Sequence, residues 1–109
     1  MSYSLLYVTV GSLDEAKSIA RKLVEERIVA CANLLPGMTS IFYWEGKAQE
    51  EAEVTLFLKT RTELVATVTE RVRALHSYSC PCVMALPITG GNPAFLEWIG
   101  NETESSAGS

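Results

Sequence analysis

The sequence is poor in the residues that most site chemistries need. It holds one histidine, His76, and three cysteines, Cys31, Cys80 and Cys82. An odd thiol count does not close a disulfide framework and fits free thiols in a reducing compartment. A closed structural zinc site takes four ligands, and His76, Cys80 and Cys82 make only three. There is no Cys-x-x-Cys, so a thioredoxin-type redox pair is not expected. Only nine Lys and Arg stand against thirteen Asp and Glu, for a net charge of −4. The cations are scattered rather than striped, which argues against a nucleic-acid partner. No apolar run approaches the ~18 residues of a membrane span, so membrane insertion is not expected. The opening MSYSLLYVTVG lacks the positive start of a signal peptide and runs straight into a strand pattern, so the expected location is cytoplasmic. Gly90-Gly91 lacks the spacing of a nucleotide-binding glycine motif.

What is present is a globular composition. Of 109 residues, 48% are hydrophobic and 20% charged, which suits one domain with its own core. The expected division is a single domain over residues 1–100 and a flexible polar tail over 101–109.

Residues 3–10 are β-branched and aromatic and predict a strand. Ser12 followed by Glu15 is a capping-box pattern, and Ala16, Ile19, Ala20, Leu23 and Val24 recur at helical spacing up to about Arg27. Residues 28–35 and 39–44 form two apolar runs, read as one long strand bent at Pro36-Gly37. A turn at 45–47 returns the chain to a strand at 53–59. Thr60 and Glu63 suggest a second capping box, before a helix whose apolar face carries Val68, Val72 and Leu75. Residues 81–88 predict a fourth strand. Asn92-Pro93 starts a short last helix, with Phe95, Trp98 and Ile99 expected to face inward. The order βαββαβ plus a C-terminal helix is the ferredoxin-like, α+β arrangement.

Two helices cover only one face of such a sheet. Yet the strands are apolar on both faces: Leu6, Val8 and Val10 alternate with Leu5 and Tyr7, and Val83 and Ala85 alternate with Met84, Leu86 and Ile88. A sheet apolar on both faces is covered on both. The sequence therefore predicts an oligomer that buries the open face, since apolar burial stabilises by ~25 cal/mol per Å².

The candidate metal ligands are His76, Cys80 and Cys82, an imidazole and two thiols within seven residues. These are ligands for copper(I) or zinc. The opposing reading is packing, because the two thiols fall in phase with Met84, Leu86 and Ile88 on an apolar strand face, and cysteine behaves there as a small hydrophobe. Cys31 reads as a core thiol. Lys59 and Arg61 could hold an anion, or pair with Glu50, Glu51 and Glu53 in a solvated network. Trp44, beside a hairpin tip, reads as an interface anchor. No set of residues marks a nucleophile with its base and oxyanion donors, so no enzymatic activity is expected.

Several segments resemble the CutA divalent-cation-tolerance family. They are Ala30-Cys31-Ala32-Asn33-Leu34-Leu35-Pro36-Gly37, Tyr43-Trp44-Glu45-Gly46-Lys47, Leu58-Lys59-Thr60, then His76, Tyr78 and Pro81, Ala85-Leu86-Pro87-Ile88, and Phe95-Leu96-Glu97-Trp98. The resemblance covers about residues 5–100. It implies a ferredoxin-like homotrimer linked to tolerance of copper and other divalent metals, with no established catalysis. Trimers of this type also resemble nitrogen-regulatory signal proteins, which gives a second reading: a signalling trimer that holds a small ligand in inter-subunit clefts and reports to a protein partner. The copper-binding members carry a first-strand cysteine and a second histidine, where this chain has Val8 and Leu75. His76 alone remains of that set. Cys80 and Cys82 are this chain's own additions, so a bound copper or other divalent ion would rely on them.

Overall fold

A computed structural model describes residues 1–104. Its elements run β1 (Tyr3–Val10), α1 (Leu13–Glu25), β2 (Cys31–Trp44), β3 (Lys47–Arg61), a 3-10 turn (Thr62–Leu64), α2 (Val65–Leu75), β4 (Val83–Ile88) and α3 (Pro93–Asn101). The four strands form one sheet in the order β2-β3-β1-β4, with every neighbouring pair antiparallel. This is the expected ferredoxin-like α+β fold.

The core lies between the sheet and helices α1 and α2. Leu6, Val8, Val54, Leu56 and Leu58 come from the strands, and Ala16, Ile19, Leu23, Val68 and Val72 from the helices. All are buried. Period-2 alternation in the strands meets period-3.6 spacing in the helices, so each element turns one apolar side to the same space. Burying one such leucine or valine contributes about 1.5–3 kcal/mol.

The opposite sheet face carries Tyr3, Leu5, Tyr7, Phe57, Met84 and Leu86. Here Met84 is 54% and Leu86 48% exposed. The strands are thus apolar on both sides, and the two large helices cover only one.

The β2–β3 hairpin extends well past the body of the molecule, whose extents are 43 × 27 × 23 Å. The register shifts between Leu35 and Met38, where Gly37 adopts φ +87°, a left-handed conformation that glycine takes without cost. The bend lies at the expected Pro-Gly. The hairpin closes on Trp44 and Lys47 through Glu45 and Gly46, both at positive φ, the backbone of a type I′ turn. Ile41, Tyr43 and Trp44 on this arm are exposed.

Several sequence-based expectations need correction. Strand β3 begins at Lys47, not 53, because the arm is paired along its full length. Strand β4 begins at Val83, so Cys80 and Cys82 precede it and do not share a strand face with Met84. The ladder ends at Val8–Val83 because the next β1 carbonyl, that of Thr9, faces the His76 ring, and Pro81 has no N–H to pair. Thr60 does not cap α2. Its hydroxyl donates to the Ile28 carbonyl at 2.6 Å, and Arg61 occupies the position before the 3-10 turn without a side-chain cap.

In α3 the cap is as expected, with Asn92 accepting from the Ala94 N–H. Ile99 is buried, but Phe95 and Trp98 are exposed. Of the tail expected over 101–109, Asn101 ends α3, Thr103 is buried, and Glu104 N–H donates to the Arg27 carbonyl at 2.8 Å. Residues 105–109 lie outside the described residues. Among the described residues no helix is long and apolar enough to cross a membrane.

Candidate functional site

The first candidate region is the segment 76–82 between α2 and β4. His76 follows the last turn of α2 and donates its backbone N–H to the Val72 carbonyl at 2.9 Å. That turns the ring inward, where the side chain is fully buried. Nε2 lies 2.8 Å from the Thr9 carbonyl. A carbonyl only accepts, so Nε2 carries the proton. Nδ1 then presents its lone pair, and the Tyr78 N–H donates to it at 3.0 Å. Both ring nitrogens of a neutral imidazole are thereby committed.

Glu15 anchors the segment from α1. Ser12 Oγ accepts the Glu15 N–H at 3.2 Å, as the capping pattern predicts. The Glu15 carboxylate does not return to Ser12, however. It accepts from the Ser77 N–H and the Ser77 hydroxyl, each at 2.8 Å, and lies 3.6 Å from His76 Nδ1.

Tyr78 sets its ring against that of His76, tilted by 50° with centroids 4.6 Å apart, and donates its hydroxyl to Glu53 at 3.0 Å. Partial burial first, then the bond to Glu53 and the charges of Glu53, Glu15 and Glu51, push the phenol up to about 12. Cys82 is half-buried and Cys80 exposed. Burial, and next the charge of Glu53, push the Cys82 thiol up, while a hydrogen bond with Thr9 opposes them.

Chemically this region is held in unreactive forms. Its imidazole is neutral with no free lone pair, and the phenol and the Cys82 thiol are kept protonated. A metal ligand needs a free imidazole lone pair or a thiolate. Among the described residues no group of three or more His, Cys, Asp or Glu side chains is placed to hold a metal ion. Within one chain, then, His76, Cys80 and Cys82 do not converge into the chelate that their sequence spacing suggests. The residues do not fit a resident copper centre of that design.

The second region lies on the open sheet face. Register places Cys31 opposite Lys59 and Asn33 opposite Phe57. Lys59 Nζ donates to Asn33 Oδ1 at 2.9 Å, is 3.9 Å from Cys31 Sγ, and lies 5.4 Å from the centre of the Phe95 ring. Cys31 is half-buried on this face, not in the core as its apolar neighbours suggest. Nor does the expected network of Lys59 and Arg61 with Glu50, Glu51 and Glu53 form. Arg61 lies 3.4 Å from Glu63 and otherwise serves α3, while Glu53 takes Tyr78. Sequence reasoning missed this cluster because its members meet across strands. The i, i+2 spacing of Cys31 and Asn33 is visible, but the register that adds Lys59 is not.

Comparison with known proteins follows the same lines. The family model for the CutA1 divalent ion tolerance protein matches residues 4–102. The chloroplastic Protein CutA 1 of Oryza sativa is 45% identical over 102 residues, which is 94% of this chain but 58% of that protein. The chain thus spans little more than half the length of that relative. The crystal structure of CutA1 from Oryza sativa superposes with a TM-score of 0.95 at 43% identity, covering 97% of both chains. The periplasmic divalent cation tolerance protein CutA from Archaeoglobus fulgidus gives 0.91 at 42% identity, over 94% of this chain and 99% of that one.

These relatives overturn the cytoplasmic expectation. One is chloroplastic and another periplasmic, so a strand pattern at the start of this sequence does not specify a compartment. A shared fold over nearly the whole chain, with matching sequence, settles the lineage: the chain belongs to the CutA1 divalent ion tolerance family.

Proposed function

We propose that the protein acts in divalent-ion tolerance as a non-catalytic homotrimer, by binding an ion or a protein partner rather than by transforming a substrate. The observation that carries this reading is the uncovered apolar surface. The open sheet face exposes Leu35, Met84 and Leu86, and the arm exposes Ile41, Tyr43 and Trp44. Contiguous apolar surface of this kind is an interaction surface, and copies of the same chain are the partners that bury it by closed symmetry. The His76 imidazole, bonded at both nitrogens, and the protonated Cys82 thiol offer no activated base or nucleophile, which speaks against chemistry at this segment.

Ion binding in this reading needs the assembly: a soft ion such as copper(I) displaces the protons of the Cys80 and Cys82 thiols, and a second chain or solvent supplies the ligands that one chain lacks. His76 contributes by shaping the segment, because its nitrogens are already bonded. Titration of copper(I) and zinc(II) into the native assembly tests this. The double variant Cys80→Ser/Cys82→Ser is expected to weaken uptake by about tenfold or more, since a soft ion can displace a thiol proton but finds no equivalent ligand in a serine hydroxyl. Equal uptake in wild type and double variant removes the thiols from the proposal.

A further inference from the structure

A sheet face that copies of the chain cover has to dispose of the charges it carries. On the open face these are Arg61 and Lys59. Arg61 is provided for within its own chain, by Glu63, the Thr103 hydroxyl and the Gly100 carbonyl. Lys59 is not. It is half-buried in a single chain, beside Leu5 on β1 and with its Nζ 5.4 Å from the centre of the Phe95 ring. Asn33 Oδ1 takes one of its three donors, and the Cys31 sulfur at 3.9 Å is a weak acceptor. Among the described residues no salt bridge includes Lys59. Covering this face removes the water that remains around the ammonium, and a buried ammonium without a counter-charge is costly. The covering surface therefore has to bring a negative charge.

In a cyclic trimer each contact joins two different patches of the chain, so Lys59 faces something other than a second Lys59. The arm has the complementary character. Residues 38–52 carry three carboxylates, Glu45, Glu50 and Glu51, against one cation, Lys47. All three carboxylates are exposed, and among the described residues none forms a salt bridge. The exposed Ile41, Tyr43 and Trp44 of the same arm suit the apolar surroundings of Lys59. The arm also projects beyond its own body, where a second copy is within its reach. We infer that the arm of one copy lies against the open sheet face of the next and supplies the carboxylate that pairs with Lys59. The inference rests on the homotrimer reading and adds which two surfaces meet. The Lys59 site is then incomplete in one chain: Asn33 holds the ammonium in place, and the neighbouring copy contributes its counter-charge.

The sign of one substitution tests this. Lys59→Met keeps the stem and removes the charge. Its effect is read as the protein concentration at which the trimer half-dissociates, followed by light scattering at a fixed urea concentration. If a neighbour's carboxylate pairs with Lys59, the variant strands that carboxylate, and the half-dissociation concentration is expected to rise by about tenfold or more. If Lys59 lies unpaired in the contact, the same variant removes a costly charge and tightens the trimer. The partner is found by a double-mutant cycle. At least one of Glu45→Gln, Glu50→Gln and Glu51→Gln is expected to weaken the wild-type trimer and to weaken the Lys59→Met trimer by less. Circular dichroism confirms that each variant folds. If Lys59→Met does not fold, Lys59→Gln takes its place in the cycle, and one of the three glutamine variants, all at exposed positions, must still weaken the trimer. An unchanged or tighter Lys59→Met trimer overturns the inference, and so does a cycle in which none of the three carboxylates couples to Lys59. A trimeric wild type with either of those results sinks this inference alone. A wild type that scatters as a monomer sinks the homotrimer reading and the inference together.

Discussion

At the scale of single residues, the segment 76–82 shows how far chemical identity is from chemical role. A histidine near two cysteines looks like a chelate in the sequence. In the fold the same histidine is a structural bracket, its two nitrogens joining Thr9 in β1 to Tyr78 in the following loop. Nothing in the residue types foretells this, because the Thr9 carbonyl lies 67 residues away. Tyr78 is the group whose titration reports on the region. Its phenol is pushed up to about 12 from an unfolded value near 10. A raised folded value means that stability is fully present below pH ~10 and is lost as the pH rises through about 12, because the unfolded chain ionises first. Spectrophotometric titration of the four tyrosines is expected to show one ionising late, and Tyr78→Phe to remove that late step and flatten the alkaline fall in stability. If the late step survives in Tyr78→Phe, it belongs to another tyrosine and not to Tyr78.

At the scale of elements, local signals were legible where an element terminates against itself and illegible where it terminates against something distant. The Ser12 and Asn92 side chains accept the N–H groups that their sequence patterns predict, because those bonds lie within three residues, while the Glu15 carboxylate leaves its capping box for the distant Ser77. The C-terminal end of α3 is different. Arg61, from the end of β3, donates Nε to Thr103 Oγ1 at 3.0 Å and to the Gly100 carbonyl at 3.2 Å. Arg27, just past α1, donates Nη2 to the Asn101 carbonyl at 3.0 Å. Two guanidinium groups thus sit on the negative end of a short helix, where cations stabilise the exposed carbonyls. Arg27 does so from a left-handed backbone, φ 61°, within a Schellman-type turn in which Ile28 N–H donates to the Leu23 carbonyl at 3.2 Å and Arg27 N–H to the Val24 carbonyl at 3.0 Å. Glycine is the usual residue there, so the arginine is retained at a backbone cost of about 1 kcal/mol. That makes the two contributions separable. Both Arg27→Gly and Arg27→Ala are expected to speed amide exchange at the end of α3. Arg27→Ala is expected to be the less stable of the two in urea by about 1 kcal/mol, since only glycine relieves the backbone. Equal stability of the two variants would place the whole effect in the side chain.

At the scale of the molecule, one chain leaves apolar surface that it cannot bury itself. Alternation in β1, β3 and β4 already says that both sheet faces are apolar, and the register makes the point concrete: Leu5 lies between Lys59 and Leu86, and Tyr7 between Phe57 and Met84. The arm repeats the problem beyond the core, with paired strands and exposed aromatic side chains. The length of that arm was not legible from the sequence, because Lys47 to Ala52 is polar and reads as loop until its pairing with β2 is known. If copies of the chain cover these surfaces, folding and assembly are linked, and thermal stability rises with protein concentration. Light scattering of the wild type is expected to give about three times 11.9 kDa, with a melting temperature that climbs over an about hundredfold concentration series. Leu86→Arg is the discriminating variant. Leu86 is 48% exposed in the single chain, so an arginine there can reach water and leaves the monomer fold intact. Inside an assembly the same guanidinium would be buried without a partner, at a cost of several kcal/mol per chain. The variant is expected to scatter as a monomer with an unchanged far-ultraviolet spectrum and a melting temperature independent of concentration. A wild-type monomer at every concentration would mean that the open face is covered by something other than this chain. A Leu86→Arg trimer would move the contact away from the β1–β4 end of the sheet and onto the arm.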